Sequence, residues 1–339
     1  MDGEKLREAA AAGDLALVKS ILKQQKSKIV DAADEDGMTP LMHAAYKNQL
    51  AVCDYLLSKG ADVNWDNHKH QYTPLMFAVL SGSPEVTQLL LQSGASLTKT
   101  NGIGKTAAQL AGFVGHHNCV TVISNFFPQT ELEPYTKPQG LSSTPKLYPD
   151  QVPAFYELVT SSNLNPVKLT MHLTKHGELL RRREDTVYVL EHLLETRANE
   201  LNEPLAMKLH YLIHVVNACV AHENGFIKHL LTGRESDGAL LNMEKFVRLS
   251  IRDFKYRNSQ LLLALVKNIT AVTPGDQPSA LSFLEQSING LQSSSTAESC
   301  FACGAKGNQK LCSACKRISY CSPKCQQLHW FSHKKQCKK

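Results

Sequence analysis

From about residue 154 to 290, apolar side chains recur at helical spacing, with Leu205, Leu209, Leu212, Val216 and Cys219 on one stripe. Turn signals at Asn163 to Pro166 and Pro274 to Pro278 interrupt the pattern, which predicts five to seven helices in this middle region. Upstream, the alternation of apolar and polar positions repeats itself. Thr39-Pro40-Leu41-Met42-His43-Ala44-Ala45 returns as Thr73-Pro74-Leu75-Met76-Phe77-Ala78, and more faintly as Thr106-Ala107-Ala108-Gln109-Leu110-Ala111, at offsets of 34 and 33 residues. Tyr55-Leu56-Leu57 followed by Gly60-Ala61-Asp62 returns as Leu89-Leu90-Leu91 followed by Gly94-Ala95-Ser96. Each threonine caps a first helix, proline at the first helical position costs no hydrogen bond, and glycine suits the left-handed residue that ends a second helix. A repeat of this length marks a solenoid, whose units bury their faces only by stacking.

The stretch 128–153 changes character. Pro128, Pro134, Pro138, Pro145, Pro149 and Pro153 exclude a continuous helix and predict an extended, proline-rich linker, although Tyr135 and Tyr148 need a surface to lie against. Residues 291–299, rich in serine, read as a short flexible joint.

With 339 residues, 42 % of them hydrophobic, the chain has room for two or three domains. Its N-terminus has neither the charge order nor the apolar segment of a signal peptide, and no apolar run approaches the length of a bilayer span. Asp2 and Gln336 occupy the positions that myristoylation and prenylation would require as glycine and cysteine. These features predict an intracellular, cytoplasmic protein without membrane insertion. Charge is uneven: residues 298–339 hold nine Lys and Arg against one acidic residue, while the rest is close to balanced.

That basic end also carries the chemistry. Cys300-x2-Cys303, Cys312-x2-Cys315, Cys321-x3-Cys325 and His333-x3-Cys337 make four ligand pairs, using seven of the chain's ten cysteines. A CxxC turn offers two thiolates to one metal, and tetrahedral zinc takes a second pair from elsewhere, so eight ligands predict two closed structural Zn2+ sites. Spacing leaves open a sequential or an interleaved pairing. Seven thiolates around two zinc ions add about three negative charges, so the lysines are read as compensating the metal sites rather than as a nucleic-acid surface.

The repeats resemble ankyrin repeats, with a degenerate cap at about 5–34 and repeats at about 36–67, 70–101 and 103–127. They depart from the ankyrin pattern where Met42, Met76 and Gln109 replace the fourth-position histidine, which predicts a weaker polar network between repeats. Tyr320-Cys321, Cys325-Gln326 and His329-Trp330, followed by His333 and Cys337, resemble the MYND finger, placed at 300–337. That resemblance implies interleaved pairing, with Cys300, Cys303, Cys321 and Cys325 on one zinc and Cys312, Cys315, His333 and Cys337 on the other. It also implies a groove for proline-rich P-x-L-x-P peptides at Gln326 and Trp330, the alternative being that Trp330 plugs the finger's small core. The ankyrin resemblance places a partner-binding concave face at Met38, Tyr46, Lys47, Lys69, His70, Tyr72, Leu80 and Phe113, the alternative being that Leu80 and Phe113 pack within the stack.

The expected fold is therefore mainly α, with an N-terminal ankyrin solenoid over 1–127, a helical middle over 154–290 and a C-terminal two-zinc finger. This combination resembles the ankyrin repeat and MYND domain-containing protein family. The resemblance implies a non-enzymatic adaptor at cilia, with an FK506-binding immunophilin and ciliary signalling proteins among its partners. The family continues past the finger into an acidic tail, whereas this sequence stops two residues after Cys337. Rival readings are an enzyme, as methyltransferase or ubiquitin-ligase scaffold, or a transcriptional cofactor, but the Asn-His-x-Cys core of a SET domain is missing. Gly104-Lys105-Thr106 lacks the first glycine of a phosphate loop, and no G-x-S-x-G elbow is present. His210/His214 and His172/His176 have zincin spacing without the motif's glutamate and are read as ordinary histidines.

Overall fold

The computed structural model describes residues 2–24, 29–138, 140, 144–200, 202–222, 225–232, 240–290, 299–307, 309–335 and 337. The predicted joint at 291–299 lies outside them except for Ser299. Two units form, Met1–Phe126 with Asn289–Gln292, and Phe127–Ile288 with Ser293–Lys339.

Four helix pairs build the first unit: α1 Asp2–Ala12 with α2 Leu15–Gln24, α3 Pro40–Tyr46 with α4 Leu50–Ser58, α5 Pro74–Leu80 with α6 Pro84–Gln92, and α7 Ala107–Phe113 with α8 His117–Asn125. Thr39 and Thr73 cap α3 and α5 through their hydroxyls, accepting from the Met42 and Met76 amides at 3.3 and 3.4 Å. Thr106 and Gln109 close a reciprocal capping box on α7. First helices stack on first helices and second on second, burying Leu6, Leu41, Met42, Leu75, Met76 and Leu90.

Met42 and Met76, at the tetrad's fourth position, bring no polar side chain to the contact between repeats. With Met42 and Met76 buried in the stack, hairpins carry the ties between repeats: Lys69 N–H donates to Asp36 O at 2.9 Å, Asn64 Nδ2 to Gly94 O at 2.9 Å, and Gly102 N–H to His70 O at 2.9 Å. Ser81 Oγ and a ring nitrogen of His116 reach Ala45 O and Val79 O in the preceding repeats.

In the second unit a 3-10 segment, Gln129–Thr136, precedes α9 Val152–Thr160, α10 Pro166–Lys175, α11 Glu178–Arg181, α12 Arg183–Asn199, α13 Glu203–Ala221, α14 Phe226–Leu230, α15 Leu241–Arg252, α16 Gln260–Thr270 and α17 Ala280–Asn289. The finger follows as β1 Lys310–Leu311, antiparallel to β2 Ser319–Tyr320, and α18 Pro323–His333. Nine helices among the described residues exceed the five to seven predicted, because α11 and α14, four and five residues long, are too short to show a period. The proline-rich stretch is likewise no free linker: Leu132, Tyr135 and Leu147 are buried in this unit's core, and the Arg182 guanidinium lies 4.2 Å from the Tyr148 ring centroid. Among the described residues, helix α13 is long and apolar enough to cross a membrane by length and composition, although Lys208, His210 and His214 interrupt its apolar run. Most of it is buried, and it packs on α12 and α15 as the central helix of the core.

The finger belongs to that same core, which takes in Cys300, Ala302, Cys303, Cys312, Tyr320 and Cys325. Asn163 Nδ2 donates to Cys303 O at 3.1 Å, and the adjacent Leu164 N–H donates to Glu285 Oε1 on α17 at 3.1 Å. Burial pushes the Glu285 carboxyl above its ordinary pKa, opposed by that amide and by Lys306 of the finger.

Candidate metal centre and binding faces

Each half of the finger contributes to both ligand clusters. The first knuckle supplies Cys300 and Cys303, the β1–β2 hairpin holds Cys312 and Cys315 across its turn and Cys321 at its end, and α18 carries Cys325 and His333. Ser322 caps α18 by accepting the Cys325 N–H at 3.3 Å, with Pro323 at the first helical position. The structure draws together Cys300, Cys303, Cys321 and Cys325, and separately Cys312, Cys315, His333 and Cys337, with the ligand atoms of each set within 4.8 Å of one another. The pairing is interleaved.

Distances decide whether these sets fit zinc. Four ligands at about 2.3 Å from a metal stand about 3.8 Å apart. Cys303 Sγ and Cys325 Sγ each lie 3.6 Å from Cys321 Sγ. In the other set Cys312 Sγ is 3.7 Å from Cys337 Sγ, and His333 Nε2 is 3.4 and 3.5 Å from the Cys312 and Cys315 sulfurs. Both clusters fit structural zinc ions, with four protein ligands and no position left for substrate. Thiol hydrogen bonds from Cys303 and Cys325 hold Cys300 far below the usual thiol range, whereas the Cys303 thiol is pushed up. The Cys315 backbone amide brings Cys312 down to about 6, while burial raises Cys337 to about 11. The purified chain is expected to retain two zinc ions per molecule through dialysis against a weak chelator, and Cys300→Ser and Cys312→Ser to lose one each by elemental analysis.

The interior of the finger is filled without Trp330. His329 is fully buried, shares a 2.7 Å hydrogen bond with the Tyr320 hydroxyl and stacks on Phe301 at 4.6 Å. Trp330 is 44 % exposed, so the plug alternative fails. Gln326 stands one turn before it on α18, half-buried. Phe301 N–H donates to Ser319 O at 3.0 Å on the side of β2 away from β1, leaving β1 as the edge strand among the described residues, with Leu311 50 % exposed.

On the repeats, Tyr46 is 47 % and Phe113 89 % exposed, so the alternative in which Phe113 packs within the stack fails; Leu80, Tyr72 and Met38 are half-buried. Tyr46 and Tyr72 meet at Phe77, 5.9 and 5.6 Å away. The sequence reading missed Phe77 and His68, which tie this cluster together. His68 packs edge-on to Phe77 and Tyr72, and its Nδ1 accepts the His70 and Tyr72 amides at 3.2 and 3.4 Å. Those two amides require a bare Nδ1, and burial lowers the His68 pKa. Lys69 is paired with Asp36 at 2.7 Å, His70 and Lys47 are exposed, and Ile103, also missed, is 75 % exposed.

A profile of ankyrin repeats (3 copies) matches residues 6–101, and that of the MYND finger matches residues 300–337. The chain is 33 % identical over 340 residues to Dauer abnormal formation protein 25 of Caenorhabditis elegans, covering 95 % of this chain and 86 % of that protein. Shorter similarities reach ankyrin repeat and SAM domain-containing protein 6 of Rattus norvegicus, 37 % identical over 113 residues, 32 % of this chain and 13 % of that protein. The probable E3 ubiquitin-protein ligase XBOS33 of Oryza sativa subsp. japonica is 35 % identical over 144 residues, 42 % of this chain and 26 % of that protein.

Proposed function

The chain belongs to the family of ankyrin-repeat and MYND-finger proteins, and from that premise we propose that it is a non-enzymatic adaptor holding one partner on its repeats and a proline-rich peptide on its finger. The observation that carries this reading is the exposed Trp330, one helical turn from Gln326, in a finger where β1 is the edge strand among the described residues. An extended P-x-L-x-P segment adds to β1 as a strand, with the indole covering a proline ring and the Gln326 amide meeting peptide backbone. On the repeats, Tyr46, Tyr72 and the neighbouring His70 and Lys47 supply the aromatic and long side chains that dominate protein interfaces.

Titrating a P-x-L-x-P peptide into the full chain tests the finger. Trp330→Ala is expected to weaken binding by a factor of roughly 30 or more, as hot-spot truncations do, and Gln326→Ala by a smaller factor. Unchanged affinity in both zinc-loaded variants would sink the assignment. On the repeats, a Tyr46→Ala, Tyr72→Ala chain is expected to lose the repeat-bound partner while keeping the peptide. Closed metal sites support the non-enzymatic reading, and the plant ligase similarity spans 26 % of that protein; ubiquitin transfer by the purified chain would reverse it. The partners proposed from the family resemblance are an FK506-binding immunophilin and ciliary signalling proteins, and the place is the cytoplasm and the cilium. Imaging of the tagged chain, with immunophilin capture, tests both.

A further inference from the structure

A third group of metal-ligating side chains comes together in the second unit, sharing no residue with the finger's two clusters. Glu157 on α9, His172 in the last turn of α10 and His176 at its C-cap each place a ligand atom within 4.8 Å of the others. We propose that they form a third, exchangeable zinc site, open to solvent where the finger's sites are closed.

Three observations carry this. His172 Nδ1 lies 3.5 Å from Glu157 Oε2, close to the roughly 3.4 Å that separates two ligands at about 2.1 Å from one zinc. On the ring's other side, Nε2 is 2.8 Å from the Ala154 carbonyl oxygen. A carbonyl only accepts, so Nε2 carries the proton, and in the neutral ring Nδ1 turns a lone pair toward Glu157, the way ligating histidines are oriented by backbone. Burial lowers the His172 pKa, against the raising effects of the Ala154 carbonyl and Glu157. His176 supplies the third observation: its Nε2 is buried and has no hydrogen-bond partner, while its ring sits 4.8 Å from that of His172. An ion pair between His172 and Glu157 would account for two of the groups and leave this buried nitrogen without a role.

The chemistry points to a borderline metal held loosely. Two imidazoles and a carboxylate suit zinc, and three protein ligands leave one coordination position for water or an anion. Lys168, Lys175 and Lys324 line the same cavity of about 430 Å³ as Glu157 and His172. They oppose a cation, which makes this site weaker than the thiolate clusters, and they favour an anion on the open position.

Full-length chain with both finger sites loaded is titrated with Zn2+ by calorimetry, and with Co2+ by absorption. Wild type is expected to take up one further equivalent, and the third cobalt to add weak d–d bands without a sulfur-to-metal charge-transfer band. His172→Ala and His176→Ala are expected to weaken that uptake by about tenfold or more, as loss of a supporting group already does. Glu157→Gln, whose side chain is 70 % exposed and leaves the fold intact, should do the same. No further equivalent at millimolar zinc, equal uptake by wild type and Glu157→Gln, or a thiolate band from the third cobalt would each overturn the site.

Discussion

Removing zinc from the chain, or replacing Cys303 with serine, is expected to destabilise the helices of Phe127–Ile288 along with the finger, and to leave the N-terminal repeats folded. The finger has too little apolar sequence to hold its shape without metal, whose apparent contribution in such modules is on the order of 10 kcal/mol. Its loss would matter only locally if the finger were a free module. Instead Ala302 is fully buried and Cys300, Cys303 and Tyr320 nearly so in the core shared with Phe155, Leu158, Leu164 and Leu284. Asn163 Nδ2 bonds Cys303 O, and a Cβ on Gly304 would sit 3.2 Å from the Asn165 side-chain nitrogen, so the 163–165 turn that starts α10 is shaped against the first knuckle. Apo finger chain leaves this face uncovered, at a cost of several kcal/mol against a domain stability of about 5–15 kcal/mol. Hydrogen exchange on chelated and zinc-loaded chain reads the outcome. Loss of protection in α9, α10 and α17 with α1–α8 unchanged is expected; loss confined to 299–337 would show the finger to be independent.

This dependence also marks what sequence reasoning reaches. Cysteine and histidine spacing revealed eight ligands, since a CxxC turn brings its own sulfurs together, but which pairs share a metal depends on how the β1–β2 hairpin folds against α18. The prolines of 128–153 excluded a continuous helix without bearing on burial: Leu132 and Tyr135 go into the core from a 3-10 segment that tolerates Pro134. His68 escaped notice because it lies in a hairpin, outside both the helix period and the positions where ankyrin repeats vary. Glu157 and His172, 15 residues apart, meet only through the packing of α9 on α10. A motif search along one helix therefore finds two histidines and no carboxylate.

The second large effect falls on the repeats, where two glycines with similar backbone angles should respond differently to alanine. Gly37 and Gly60 have φ of +84° and +87°. Left-handed backbone costs a residue bearing Cβ about 1–2 kcal/mol, and both variants incur it. At Gly60 nothing lies within 4 Å of the added carbon, so Gly60→Ala is expected to cost about 1 kcal/mol and no more than about 2 kcal/mol. At Gly37 the same carbon would stand 2.8 Å from His68 Cα and collide with the Asn67 carbonyl, which are backbone and have no rotamer to change. The neighbouring hairpin must move. That movement strains the Lys69 N–H to Asp36 O bond and the Trp65 Nε1–H bond to Gly37 O, 2.9 and 3.0 Å long. Overpacking of this kind adds about 1–3 kcal/mol, so Gly37→Ala is expected to cost about 2–5 kcal/mol in total. His68 and His70 follow the same hairpin, so the aromatic face should lose its partner before the unit unfolds. Trp65 and Trp330 are the chain's two tryptophans, and in a Trp330→Phe background the fluorescence of Trp65 reports this unit alone. Denaturant midpoints for the two glycine variants, read from that signal, test the argument: equal destabilisation at both positions would mean that backbone angle, and not hairpin contact, sets the requirement for glycine at Gly37.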